Sequence, residues 1–230
     1  MAEALAEAVP RLELDHLVVA ARTLEEGVAW CEATFGVAPS AGGRHVLMST
    51  HNRLLALSSA RFPRSYLEIV SIDADAPKLS RARWFDLDTQ QVQTAIAQSP
   101  RLLHWVARTN AIEAAAAMLR AVGHDPGVPT AAERMTPRGL LRWRISLPAD
   151  GGRPAEGAVP LLIEWGGEHP CNTMPASGVA LERVELGGMP ASLAARLGAD
   201  PAPAEHEQRP AIVAILATPR GRVELASLPV

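Results

Sequence analysis

The chain has little cysteine, a single lysine and no long apolar run, and each scarcity narrows what it can be. Cys31 and Cys171 are its only two cysteines, too few for a disulfide framework and not spaced as a zinc-type CxxC pair. No apolar run approaches the roughly 18 residues of a membrane span, so no membrane association is expected. The opening segment MAEALAEAVP carries acidic residues where a secretory signal carries basic ones. A reducing cytoplasm is therefore the expected location. Positive charge is in short supply as well: the formal net charge is −3, without the basic footprint that a nucleic-acid partner requires. Lys78 is the one lysine, and the bias toward arginine reflects genomic base composition rather than a demand for anion binding.

What is present is ordinary for a globular protein, with 48% hydrophobic and 20% charged residues in a chain of 230. That length buries a full core, either in one large domain or in two small units packed together. The informative feature is a design that occurs twice. LDHLVVA, with His16, reads as a strand. Thr23 and Glu26 then form a capping box for a helix that stops at Gly36. After the PSAGGRH loop, strands are expected at 45–49, 53–59 and 65–71, the last presenting Glu68. The second copy opens with LLHWVAR, containing His104. Asn110 and Glu113 repeat the capping box, and the helix ends at Gly123. Strands near 127–129, 139–147 and 159–165 follow, the last presenting Glu164 in LLIEW.

The pattern divides the chain into a first βαβββ module over 12–72, a linker helix within 73–100, a second module over 101–170, and a partial βαββ unit over 171–230. In that last unit a strand at 180–186 precedes a helix started by Pro190 and ended by Gly198, and a hairpin turns at PRG. The fold class read from these elements is α+β. A carboxylate in the middle of a strand as apolar as YLEIV or LLIEW needs a partner or a metal, because an unpaired buried charge is costly. Arg53 is the candidate neutralising partner for Glu68, and Arg142 or Arg144 for Glu164. His104, beside Trp105, has the alternative of a hydrogen-bonded place in the core.

At LDHLVVAARTLEEGVAWCEATFGV, GGRHVLMSTHNRLLAL and YLEIV the chain resembles the glyoxalase-like branch of the vicinal oxygen chelate superfamily, and RWFDLD and RLLHWVAR extend the likeness. The resemblance implies two βαβββ modules whose curved mixed sheets surround a central cavity, and a divalent metal there (Zn, Ni, Co, Mn or Fe) that chelates neighbouring oxygens of a small-molecule substrate. The implied metal ligands are His16, Glu68, His104 and Glu164, with Glu164 or Glu68 also serving as the catalytic base of a lyase or isomerase. His45, His51, Asn52, Arg53, Tyr66 and Arg108 are the implied substrate-binding residues, and His51 could also supply a ligand or a base.

The chain departs from the family pattern where PADGGRPAEGAVPLLIEW replaces the usual turn before the second glutamate. Two rival readings follow: a metal-free ligand-binding or sequestering protein of the resistance type, and an Fe(II)-dependent dioxygenase using His16, His104 and one glutamate. His169 is placed at the cavity rim or in a plain loop, while His124 and His206 read as surface residues. Trp84 and Phe85 are expected to anchor the linker. The superfamily pairs its modules either within one chain or by exchange in a homodimer.

Overall fold

The computed structural model describes residues 10–189, 191–202 and 210–228. Strand β1, Glu13–Ala20, is buried along almost its whole length, on both faces, as a strand between two covered layers is. It leads into helix α1, Leu24–Phe35. The Thr23 hydroxyl accepts the backbone N–H of Glu26 at 3.2 Å. The Glu26 carboxylate pairs with Arg22 instead of closing a capping box. Gly36, at φ +77°, stops the helix in the left-handed conformation. Strands β2 (Ser40–His45), β3 (Thr50–Ala56) and β4 (Tyr66–Ile72) complete the first module. The first of these corrects the expected strand at 45–49. The strand includes Gly42 and Gly43, where its pairing with β3 shifts register between Ala41 and Arg44, while the residues after His45 make a tight turn closed by Met48 N–H on His45 C=O at 3.0 Å.

A 3₁₀ turn at Trp84–Asp86 and helix α2, Gln90–Gln98, lead to the second module. This comprises β5 (Arg101–Arg108), α3 (Ile112–Ala121), β6 (Val128–Thr136), β7 (Gly139–Leu147) and β8 (Leu161–Trp165). The eight strands form one mixed sheet in the order β2-β3-β4-β1-β5-β8-β7-β6. β1 runs parallel to β4 and antiparallel to β5, with Leu17 opposite Trp105. The two modules therefore pair within one chain. The sheet curls until its edge strands β2 and β6 meet, leaving a nearly closed barrel. One apolar cluster, including Val18, Val70, Val106 and Ile163, lines the inside, and a second, including Leu17, Ile69, Trp105 and Leu162, faces outward.

Outside the barrel, α1 and α3 share that outer core with a small sheet made by the C-terminal residues. β9 (Ala180–Leu186), α4 (Ala191–Arg196), β10 (Asp200–Pro201), β11 (Ile212–Thr218) and β12 (Gly221–Ala226) give it the order β10-β9-β11-β12. It covers the outside of the large sheet, with Leu181 N–H donating to Leu57 C=O at 2.9 Å. The expected helix start at Pro190, the loop residue His206 and most of the N-terminal segment lie outside the described residues.

Helix α1 lies close to β4 because Gly27 has no side chain: a Cβ there would come 2.4 Å from Ile69 Cγ2. Gly27→Ala should gain about 1 kcal/mol of helix propensity but lose about 1–3 kcal/mol to overpacking. A net loss of stability in urea denaturation is expected, and a more stable variant would show that the contact relaxes freely.

Candidate functional site

The register of β1 against β5 jumps between Leu14 and His16, so Asp15 is the extra residue of a β-bulge. The bulge brings Asp15 and the adjacent His16 to the same end of the barrel interior. Asp15 is fully buried, and its Oδ1 lies 2.7 Å from His16 Nδ1. Its Oδ2 accepts Trp165 Nε1–H at 3.0 Å and lies 2.9 Å from His169 Nε2. The His169 Nδ1 accepts the Cys171 backbone N–H at 3.1 Å, which leaves its proton on Nε2 for Asp15. Burial works to raise the Asp15 pKa, but the hydrogen bonds of His16 and His169 outweigh it and hold the carboxyl far below its usual range. Asp15 is thus a buried anion. Donation from His16 Nδ1 to this carboxylate leaves His16 Nε2 free toward the interior.

Across the interior, Glu68 on β4 is also buried. Its Oε1 accepts Asn52 Nδ2–H at 2.6 Å, and its Oε2 lies 3.6 Å from His16 Nε2. The same amide nitrogen of Asn52 is 3.2 Å from His45 Nε2, while Asn52 Oδ1 accepts the Gly43 N–H at 2.8 Å. That last bond fixes the orientation of the amide. His45 Nε2 must then accept, and its Nδ1–H faces the Thr50 hydroxyl at 3.1 Å. Burial pushes the His45 imidazole down to about 4, against the opposing pull of Glu68. Gly42 is required here because a Cβ would come 2.1 Å from Asn52 Oδ1. Tyr66 stacks on His16 with ring centres 4.6 Å apart; burial, then Asp15 and Glu68, raise its hydroxyl pKa well above normal.

These groups line a chamber of about 30 Å³, walled on the far side by Trp84, Phe85, Trp143 and Trp165. A groove of about 380 Å³ shares Leu54, Arg134, Leu141 and Pro170 with it and opens beside the β6–β7 hairpin. Aromatic walls with a few convergent polar groups are the usual make-up of a small-molecule site.

This barrel of paired βαβββ modules around a polar chamber accompanies a match of residues 14–201 to the family model of the glyoxalase-like domain. The chain belongs to that family. It is a glyoxalase-like protein of the vicinal oxygen chelate superfamily. A hypothetical protein from Staphylococcus aureus shares the fold at 16% identity, with a TM-score of 0.54 over 95% of this chain and 88% of that one. Methylmalonyl-CoA epimerase from Mycobacterium tuberculosis aligns at 15% identity and a TM-score of 0.40, covering 71% of this chain and 92% of its own. A Streptomyces coelicolor methylmalonyl-CoA epimerase variant aligns at 17% and 0.42, covering 70% and 99%. No curated protein matches the sequence.

The glyoxalase-like frame brings together only part of the expected site. His16, His45, Asn52, Tyr66 and Glu68 meet in the chamber. His104 does not line it. Its ring is wholly buried beside Phe85, and its Nε2 accepts the Leu161 N–H at 3.2 Å. Glu164 lies on the outer face of β8. There it accepts Ile112 N–H at 2.9 Å, serving as the cap of α3, and pairs with Arg144 at 3.0 Å. The expected Asn110 capping box is absent: Ala111 occupies the cap position, and Glu113 pairs with Arg144.

Strand register explains the difference. Val18 on β1 lies beside Glu68, whereas its counterpart Val106 on β5 lies beside Leu161. Glu164, three residues further on, therefore falls on the opposite face. The four-donor metal set does not fit this arrangement. Among the described residues, no three His, Cys, Asp or Glu side chains are grouped as a metal would need.

Three further expected residues lie elsewhere. Arg53 borders a surface depression with Leu24 and Glu25. His51 alternates outward with it on β3. Arg108 is buried but ties Glu13 to the carbonyls of Leu14, Pro63 and Arg64. Sequence reasoning missed Asp15, whose only signal is an acid inside an apolar strand, and Arg134, which reads as part of a polar hairpin. It placed Trp84 and Phe85 as linker anchors, and they also wall the chamber. His169, weighed as a rim or loop residue, is an inner partner of Asp15.

Burial also pushes His104 down, to about 3. Free histidines titrate near 6.5, so below that pH the unfolded chain gains protons that the folded chain refuses until about 4 at His45 and about 3 at His104. Stability should therefore fall as pH falls through this window, by up to about 1.4 kcal/mol per pH unit for each histidine. In urea denaturation at pH 7, 6 and 5, His104→Gln should flatten that slope. An unchanged slope would reject its burial as a neutral group.

Proposed function

We propose that this glyoxalase-like protein is an enzyme, in the isomerase or lyase class, that moves a proton on a small molecule held in the groove with its reacting end at the chamber. The reading rests on one observation: His16 Nε2 and Glu68 Oε2 face each other at 3.6 Å, each the free end of an anchored side chain. The separation is beyond a normal hydrogen bond, and the two atoms flank one edge of the chamber. Asn52 holds the other oxygen of Glu68, and Asp15 holds the other nitrogen of His16. Such fixed positions spare the reaction the cost of orienting its groups.

Glu68 takes the proton from a carbon that bears a hydroxyl next to a carbonyl and returns it to the former carbonyl carbon. His16 Nε2 accepts the hydroxyl proton and passes it to the carbonyl oxygen, and Asp15 steadies the imidazolium in between, as a buried carboxylate does for a catalytic histidine. Neighbouring oxygens on the substrate, as the resemblance implies, would acidify that carbon. The aromatic walls limit competing water. No step is assigned to a metal, because His104 and Glu164 lie away from the chamber. A second subunit is not required, because the modules pair within the chain.

The test is exchange of carbon-bound hydrogen in D₂O, followed by NMR over a panel of small 2-oxo and 2-hydroxy carbonyl compounds. At least one member should exchange, and Glu68→Gln and His16→Gln should each slow it by about 10²–10⁴-fold without lowering the melting temperature much. Binding without exchange would leave a sequestering protein. Exchange by Glu68→Gln at the wild-type rate would overturn the assignment of the base.

A further inference from the structure

Arg134 sits on β6 opposite Leu141, in the wall common to the chamber and the groove. Its Nε and Nη1 are buried and have no hydrogen-bond partner among the described residues. The neighbouring arginines differ: Arg142 pairs with Glu133, and Arg144 pairs with Glu113 and Glu164. Arg134 as a residue is half-buried, but two buried guanidinium nitrogens with no salt-bridge partner among the described residues carry a cost. Space is nonetheless kept for it, since a Cβ on Gly43 across the barrel seam would come 2.2 Å from Arg134 Nη1. The indole Nε1 of Trp84, in the same chamber wall, is a second buried donor without a partner among the described residues. One oxygen-rich anion would satisfy donors of this kind.

We propose that Arg134 binds an oxyanion of the substrate, so that the chamber takes anionic small molecules with the charged group at its junction with the groove. The inference rests on the reading of the chamber as a substrate site. Guanidinium presents paired N–H groups that match carboxylate or phosphate oxygens. The anion is thereby held apart from Glu68, and the uncharged reacting carbon faces the edge of the chamber that Glu68 and His16 flank.

The test is binding by tryptophan fluorescence, because Trp84, Trp143 and Trp165 line the chamber. The probes are small 2-oxo carboxylic acids, each beside its methyl ester, and small phosphate monoesters, each beside its parent alcohol. Wild type should bind at least one anionic member 10-fold or more tighter than its neutral partner, and the series showing the preference identifies the oxyanion. Arg134→Gln should abolish that preference while leaving the neutral affinity within about 2-fold, and should melt no lower than wild type without ligand. A preference that survives Arg134→Gln, no preference in wild type, or a markedly lower melting temperature would overturn the proposal. Glu68→Gln should keep the preference. Loss of the proton-transfer reading alone would thus leave anion selectivity intact, and loss of this inference alone would leave exchange intact.

Discussion

A carboxylate with no exposure stays charged only if every one of its oxygens is provided for, and at Asp15 the fold supplies three partners to do it. His16 comes from the same strand, Trp165 from the end of β8, and His169 from the segment just beyond it. The anion therefore joins the first strand of one module to the last strand of the other. It also fixes which nitrogen of His16 carries the proton, and that decides what His16 can do in the chamber. If Asp15 were neutral, both the join and the tautomer would be lost together. The β-bulge at Asp15 is the backbone irregularity that makes this possible, because regular alternation would send neighbouring side chains to opposite faces.

The duplicated modules share a frame but not a chemistry. β1 beside β4 and β5 beside β8 repeat one parallel pairing, about a centre where Leu17 meets Trp105. In the first module the pairing sets Glu68 against Val18 and turns its carboxylate inward. In the second it sets Leu161 in the corresponding place. The polar residue that remains nearby, Glu164, serves the end of α3, where a carboxylate meets a free helix N–H and the positive end of the helix dipole.

Much of the frame was legible in the sequence. Thr23, Gly36 and the apolar runs around His16 and Glu68 mark a strand, a capped helix and a second strand, because caps and periodicity are local signals. Positions that depend on pairing were harder to read. The similar spacing of His16 to Glu68 and of His104 to Glu164 suggested equivalent sites, but loop length carries no record of which strand face a residue will occupy. Asp15 was hidden by its bulge, since alternation assigns it to the face opposite His16. Arg134 was hidden because an inward-facing arginine in TAAERMT has the same local pattern as a solvated one. The GG pair before His45 read as a loop. It is a strand whose missing side chains make room for Asn52 and Arg134, and neither neighbour is close in sequence.

The chamber draws its parts from the two halves unevenly. His16, His45, Asn52, Tyr66 and Glu68 all come from the first module, while Leu141, Trp143, Ile145, Ile163 and Trp165 come from the second. Trp84 and Phe85 of the linker complete the wall, and Arg134 of the second module adds a charge. The groups around His16 and Glu68 and most of the mould are nonetheless encoded in separate stretches of the gene. Apart from Trp165, which also serves Asp15, the mould can be recut without disturbing the polar chain that runs from Asp15 to His45. A lineage, or a protein engineer, could change what this cavity admits by varying residues 128–163 alone.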